Sequence, residues 1–224
     1  MEIPGGKFTY RNGESLTLPT FSIARYPITY RQFQAFIDAD DGSHNPEWWH
    51  GLAADAEHKA ALGDQAFRYW SHPRERVSWY DTVAFCRWLS HESGDAITLP
   101  TEQQWQWAAQ NGLERRDYPC GDWDRRRCNT NESGIRRSTA VGMYPHGVAV
   151  CGALDLSGNL WEWYLNKRVM PNVIVVDDSG DWRVLRGGSW GSDGGASRTV
   201  YRRHDFHPAE RDGGVGFRVV RPPS

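Results

Sequence analysis

After Asn111 no segment of this chain repeats its apolar residues at helical spacing, and this excludes most folds open to 224 residues. The second half is instead Gly, Asn, Asp and Arg turns joining short apolar runs at 173–176, 182–185 and 215–220. With Trp 12 and Gly 23 in all, the chain reads as a compact, turn-rich structure in which aromatic side chains fill space between irregular segments. Helices are therefore confined to the first half. No Pro- or Ser-rich linker divides the chain and no internal repeat is visible, so the expected fold class is α+β, in one domain over residues 1–224.

Helix starts are legible. Thr29 with Gln32, and Thr101 with Gln104, are capping boxes in which each side chain satisfies a backbone N–H of the other residue. Ser78 with Asp81 opens a third helix, turning Val83, Cys86 and Leu89 inward and stopping at Gly94, which can take the left-handed closing conformation. Phe33, Phe36 and Ile37 share one helical face, as do Trp105 and Ala108. Phe21 to Ala24 reads as a strand. Residues 40–75, carrying Trp48, Trp49 and Trp70, read as an insertion packed onto the domain.

The formal charge of −2 gives no basic surplus for nucleic acid or an anionic membrane. No run of about 18 apolar residues and no signal-peptide pattern occurs, so the chain as given is expected to be soluble. Folded-looking sequence begins at Ile3, which also fits a domain cut from a longer protein. Cys86, Cys120, Cys128 and Cys151 form no CxxC pair, which argues against zinc or thioredoxin-type sites. Cys86 reads as a core thiol. Cys120 and Cys128 flank a polar loop where a disulfide and a reduced pair are both open, so the compartment is unknown.

Several blocks then occur in order: Ile3-Pro4-Gly5-Gly6, Tyr26-Pro27-Ile28-Thr29, Val77-Ser78-Trp79-Tyr80-Asp81, Leu99-Pro100-Thr101-Glu102 with Trp105, Leu156-Ser157-Gly158-Asn159-Leu160-Trp161-Glu162-Trp163, Arg186-Gly187-Gly188-Ser189-Trp190 and Gly216-Phe217-Arg218. Together they resemble the formylglycine-generating enzyme (sulfatase-modifying factor) family. The resemblance implies an elaborated C-type lectin fold with little regular secondary structure and calcium ions as staples.

On the residues alone, period two in Trp161-Glu162-Trp163 describes a strand with a core face and a wet face bearing Glu162. The family pattern instead implies a calcium site at Asp155, Gly158, Leu160 and Glu162, the middle two through main-chain oxygens. A second site would fall at Asn129, Thr130, Ser133 and Ile135. There Ser133 replaces a carboxylate, which weakens the site, although Glu132 is a possible substitute. One structural calcium is the expectation.

The family's enzyme oxidises a substrate cysteine with a copper-binding cysteine pair shortly after the Gly-Gly-Ser motif. Those places fall on Ser192 and Ser197, and hydroxyls neither hold Cu(I) as thiolates do nor exchange disulfides. No copper and no formylglycine chemistry are expected. Another branch forms sulfoxides on iron carried by a separate helical bundle, and these residues contain no such bundle. His204 and His207 with Asp205 and Asp212 read as solvated rather than metal-bound.

Between framework pieces of the 186–218 segment lie runs with no evident folding role: Gly191-Ser192-Asp193-Gly194-Gly195, Arg203-His204-Asp205-Phe206-His207 and Asp212-Gly213-Gly214. The pattern is similar to the variable proteins of diversity-generating retroelements. There, miscopied adenines turn asparagine codons into others but never into those for Lys, Glu, Gln, Met or Trp, and all three runs obey that limit. The expected contact surface is Gly191, Ser192, Asp193, Arg203, His204, Asp205, Phe206, His207, Asp212 and Gly213, with an exposed Phe206 as its anchor. The leading expectation is a non-catalytic, monomeric domain binding a protein or other macromolecule. A cryptic oxidoreductase and a sensor module of a signalling protein are the alternatives, separable by oxygen consumption and by gene context.

Overall fold

The computed structural model describes residues 1–10, 13–170 and 172–222, with backbone alone at 204 and 205. Its elements in chain order are β1 (Glu2–Ile3), β2 (Gly6–Tyr10), β3 (Glu14–Leu18), β4 (Phe21–Ile23), α1 (Tyr30–Asp38), α2 (Ala56–Ala60), α3 (Trp79–Ser93), α4 (Glu102–Ala109), β5 (Trp161–Lys167), β6 (Arg183–Arg186), β7 (Arg203–Phe206), β8 (Val215–Gly216) and β9 (Val220–Arg221). The sequence-predicted α+β class holds, with the helices in the first half. Thr29, Ser78 and Thr101 each cap a helix in a reciprocal box with Gln32, Asp81 and Gln104. Gly94 ends α3 with φ of 71°. The apolar run at 173–176 forms no strand.

β4 pairs antiparallel with both β1 and β9, so a strand from near each end of the described chain flanks it, one on either side. β2 and β3 form a hairpin. The remaining strands form one sheet in the order β7-β6-β5-β8, with β5 and β8 parallel.

β5 differs from the expected half-wet strand, for all seven of its residues are buried. Trp161, Trp163 and Leu165 join the main core with α1 and α3, while Tyr164 packs with Trp105 of α4 in a second cluster. Period two is thus present, but each face meets a layer of protein instead of water. The indole N–H of Trp163 donates to Val77 O and that of Trp79 to Tyr164 O, both at 2.9 Å, which locks α3 to the sheet. Phe33, Phe85 and Phe217 form the aromatic centre, with ring centroids 5.3–6.1 Å apart.

Trp48 and Trp49 are buried, so the 40–75 insertion is packed as expected, while Trp70 is exposed and stacks on Tyr30 at 5.0 Å. Arg211 reaches from the C-terminal segment to both oxygens of Asp81 at 2.7 Å and to the carbonyls of His58 and Ala61. His58 also bonds Ser78 Oγ at 2.8 Å. One buried carboxylate therefore ties the insertion, α3 and the C-terminal segment together.

Candidate functional site

The turn after β6 is where backbone geometry becomes restrictive. Gly187 and Gly188 have φ of 96° and 75°, and a Cβ on Gly188 would lie 2.3 Å from Ser197 Oγ, so both the conformation and the space require glycine. Gly158 N–H donates to Gly187 O at 2.7 Å and Trp190 N–H to Asn159 O at 3.0 Å, which clamps this turn to the loop leading into β5. Asn159 is buried at φ of 66°, its side chain bridging both backbone groups of Thr139. Beneath, Glu102 receives Arg186 at 2.9 Å and Arg202 at 2.9 and 3.0 Å. Burial works to raise the Glu102 carboxyl, but the two guanidiniums override it and hold it below the ordinary range.

On this frame lies an open cleft of about 480 Å³, lined by Trp161, Gly191, Ser192, Asp193, Ala196, Tyr201, Arg202 and Arg203. Four residues of the sequence-predicted surface, Gly191, Ser192, Asp193 and Arg203, are brought together there. Trp161, Ala196, Tyr201 and Arg202 were not anticipated. Tyr201 is 46% exposed and sits 5.9 Å from the Trp161 ring. Tyrosine also obeys the asparagine-codon limit, and Tyr201 lies between the three runs, outside the expected contact surface.

Phe206 corrects the expectation of an exposed anchor. It is buried, edge-on to Trp163 at 5.9 Å, with the Arg203 guanidinium 4.4 Å above its ring. Pairing of β7 with β6 sets Phe206 opposite Arg183 and turns the ring into the core. His207 is half-buried, and its Nδ1 accepts from Ala209 N–H. Asp212 and Gly213 lie outside the cleft: Asp212 Oδ1 accepts Gly214 N–H at 2.7 Å and Gly213 O accepts the Trp190 indole. The side chains of His204 and Asp205 lie outside the described residues. The runs also carry folding roles that the sequence did not reveal. Asp193 Oδ1 caps the 3-10 turn 194–197 through Ala196 N–H, and Gly194 donates to Glu132 while lying flat under Trp123.

Ser192 precedes that 3-10 turn and Ser197 is its last residue. Ser192 Oγ accepts Ser189 N–H and contacts Ser189 Oγ, whereas Ser197 is fully buried and its hydroxyl has no hydrogen-bond partner among the described residues. All four cysteines are free. Burial pushes the Cys86 thiol well up and, with smaller contributions from nearby charges, that of Cys128 up to about 12, so neither supplies a ready thiolate. Among the described residues, three metal-type ligands converge only at Asp41, His91 and Glu92, at the end of α3 and away from the cleft.

The calcium expectation fails the test of donor chemistry. Both oxygens of Glu162 are taken by Arg218, through Nε at 2.9 and 2.8 Å and Nη2 at 2.7 Å, while Trp105 and Tyr164 add donors to Oε2. A guanidinium already neutralises this carboxylate, so Asp155, Gly158, Leu160 and Glu162 do not present a joint oxygen cage. Asp155 is buried at φ of 57° and accepts Gly142 N–H; burial chiefly pushes its carboxyl up to about 6. In the second set Ser133 donates to Asn129 Oδ1 at 3.0 Å and Asn129 Nδ2 to Arg137 O at 2.8 Å, while Glu132, the possible substitute carboxylate, accepts Gly194 N–H at 2.8 Å. Thr130 is buried, and Ile135 is exposed. The residues present do not fit the family's calcium ions.

The family model for the sulfatase-modifying factor enzyme 1-like domain matches residues 1–223. The chain belongs to that family. Among relatives of this sulfatase-modifying-factor-like domain, hercynine oxygenase of Mycobacterium tuberculosis is 30% identical over 94% of this chain and 54% of its own length. The chain thus spans about half the length of the hercynine oxygenases it matches. The inactive C-alpha-formylglycine-generating enzyme 2 of Bos taurus is 27% identical over 100% of this chain and 89% of its own. Among solved structures, Treponema denticola variable protein 1 superposes with a TM-score of 0.71 at 19% identity, covering 99% of this chain and 94% of that one, which establishes a shared fold. Among the described residues no helix is long and apolar enough to cross a membrane.

Proposed function

We propose that this sulfatase-modifying-factor-like domain is a non-catalytic binding module whose contact surface is the cleft between Trp161, the 191–193 turn and Tyr201–Arg203. The observation that carries the reading is that exposed, chemically varied side chains collect on a loop surface whose backbone is fixed from below by the paired glycines, Asn159 and Glu102. Ser192 and Ser197 stand where the family's resemblance places a copper-binding cysteine pair, which supports binding without oxidation. The relative named inactive is consistent with a family that keeps the fold without the chemistry. Tyr201, beside Trp161, takes the anchoring role first expected of Phe206, and Arg203 supplies directional polar contacts to a macromolecular ligand, while Arg202 is held by Glu102 in the frame.

In this reading the surface is diversified in the manner of variable proteins, but over a narrower set than the sequence runs describe. Gly194 and Phe206 belong to the frame; Gly191, Ser192, Tyr201 and Arg203 belong to the display. A combined Ser192→Ala, Tyr201→Ala, Arg203→Ala variant should keep the cooperative unfolding and circular dichroism of the parent. Copper-loaded protein mixed with a cysteine peptide should consume no oxygen, and metal-dependent uptake would refute the non-catalytic reading. A near-repeat of the 186–218 coding region, with adenines at the display positions and a reverse transcriptase gene beside it, would establish diversification.

The hercynine oxygenase likeness favours a second reading, in which this domain holds substrate for iron carried by another part of a larger oxygenase. Oxygen consumption by the full-length gene product with added Fe(II), and none by the domain alone, would favour that role.

A further inference from the structure

Among the described residues four arginines are fully buried: Arg74, Arg183, Arg186 and Arg218. Three of them have a carboxylate within reach, Arg183 with Asp177 at 3.3 Å, Arg186 with Glu102 at 2.9 Å and Arg218 with Glu162 at 2.7 Å. Arg74 has none among the described residues. Its Nη2 donates to Gly63 O and its guanidinium lies 4.7 Å from the centre of the Phe33 ring, while its Nε is buried without a hydrogen-bond partner. Burial lowers its pKa to about 10, with Asp81 the largest opposing influence. Asp81 and Glu75, both buried, act on Arg74 through space without forming a contact pair with it, whereas the other three arginines each have a carboxylate in contact to offset the cost of leaving water.

The neighbour that Arg74 does have is a cavity of about 340 Å³ between α1 and the 40–75 insertion, which shares no lining residue with the cleft at Tyr201. Its lining includes Lys59 and Arg68 as further cations, Asp64 as its one carboxylate, and Ser43 and Tyr30 as hydroxyl bearers. Asp64 is already 3.4 Å from Arg68 in an exposed pair. Three cationic side chains against one carboxylate leave two positive charges on the wall. The volume lies within the usual range for small-molecule sites, roughly 300–1,000 Å³.

We propose that this cavity is a binding site for a small phosphate-bearing molecule, with Arg74 as its buried anchor and Lys59 and Arg68 closing on the outer oxygens. A phosphomonoester carries about −1.5 to −2 charges at neutral pH, which balances the wall, and its oxygens suit the guanidinium fork. The cavity's volume of about 340 Å³ admits the phosphate group together with a compact organic residue.

The test is calorimetric titration of the full chain with inorganic phosphate, glycerol phosphate and succinate at constant ionic strength. Saturable binding of both phosphates, weakened at least ~10-fold in Lys59→Ala and in Arg74→Met, is the expected result. Should Arg74→Met not fold, the half-buried Lys59 supplies the deciding variant. Tyr201→Ala should leave phosphate binding unchanged, which separates this site from the cleft. The proposal is overturned by no saturable heat from either phosphate at about 10 mM, by binding that survives Lys59→Ala and every folded Arg74 variant, or by succinate binding as tightly as phosphate.

Discussion

Replacing Arg218 by methionine tests the charge arrangement on which the frame depends. Arg218 is fully buried, holds both oxygens of Glu162, and donates to the carbonyls of Ala24 at 3.1 Å and Leu154 at 2.9 Å. Methionine keeps most of the packing and removes the cation. It strands a buried carboxylate with the Trp105 indole and the Tyr164 hydroxyl as donors, and frees two carbonyls. Breaking a buried pair from one side costs about 3–5 kcal/mol. In a domain of this size each kcal/mol lowers Tm by about 2–4 °C, so the expected fall is about 6–20 °C. Urea unfolding with a shared slope gives the free energy directly. Adding Glu162→Gln to Arg218→Met removes the stranded charge and should recover at least ~1 kcal/mol through the coupling between the two sites. A loss below about 1 kcal/mol, or a double variant no better than the single, would refute the reasoning. So would a fall of several degrees in the parent's Tm on adding a calcium chelator, because Glu162 would then be serving an ion instead of Arg218.

Gly194→Ala, whose new Cβ would meet the Trp123 ring at 2.4 Å, should cost about 1–3 kcal/mol in urea unfolding, whereas Tyr201→Ala should change stability by less than ~0.5 kcal/mol. Equal effects would dissolve the distinction between frame and display. Ser197→Ala deletes a buried hydroxyl that has no hydrogen-bond partner among the described residues and should raise stability by up to about 1 kcal/mol; a loss of that size would mean the hydroxyl is bonded in solution. Asp81 and Glu102 are each pushed up by burial but held below the ordinary range, by His58 and Arg211 and by Arg186 and Arg202. Their contribution is therefore complete above the unfolded values of about 3.9 and 4.3, and is lost as pH falls through the lower folded values. Urea midpoints measured from pH 5 to pH 3 should drop less in Asp81→Asn and Glu102→Gln than in the parent.

The capping boxes at Thr29 and Thr101 and the helix start at Ser78 were legible because cap and partner lie three residues apart and the hydrogen bonds are local; that Ser78 and Asp81 also form a reciprocal box came from the structure. Gly94 was legible for the same reason, and the ordered Trp- and Gly-bearing blocks carried the family and its lectin-type fold. Glu162 was not legible. Its alternation with Trp161 and Trp163 fits a wet face, and its partner lies 56 residues away, brought close when β8 pairs with β5. Phe206 and Tyr201 exchanged roles for a similar reason: the register of β7 on β6 turns one inward, while the turn before β7 leaves the other outside. Arg74 differs from Arg186 and Arg218 only in what the fold sets beside it. Composition and spacing by themselves determined where helices begin, where glycine is needed and which chemistry lacks its thiols. Tertiary structure alone decided which charges neutralise one another and which side chains remain free to touch a ligand, because both depend on contacts between residues far apart in the chain.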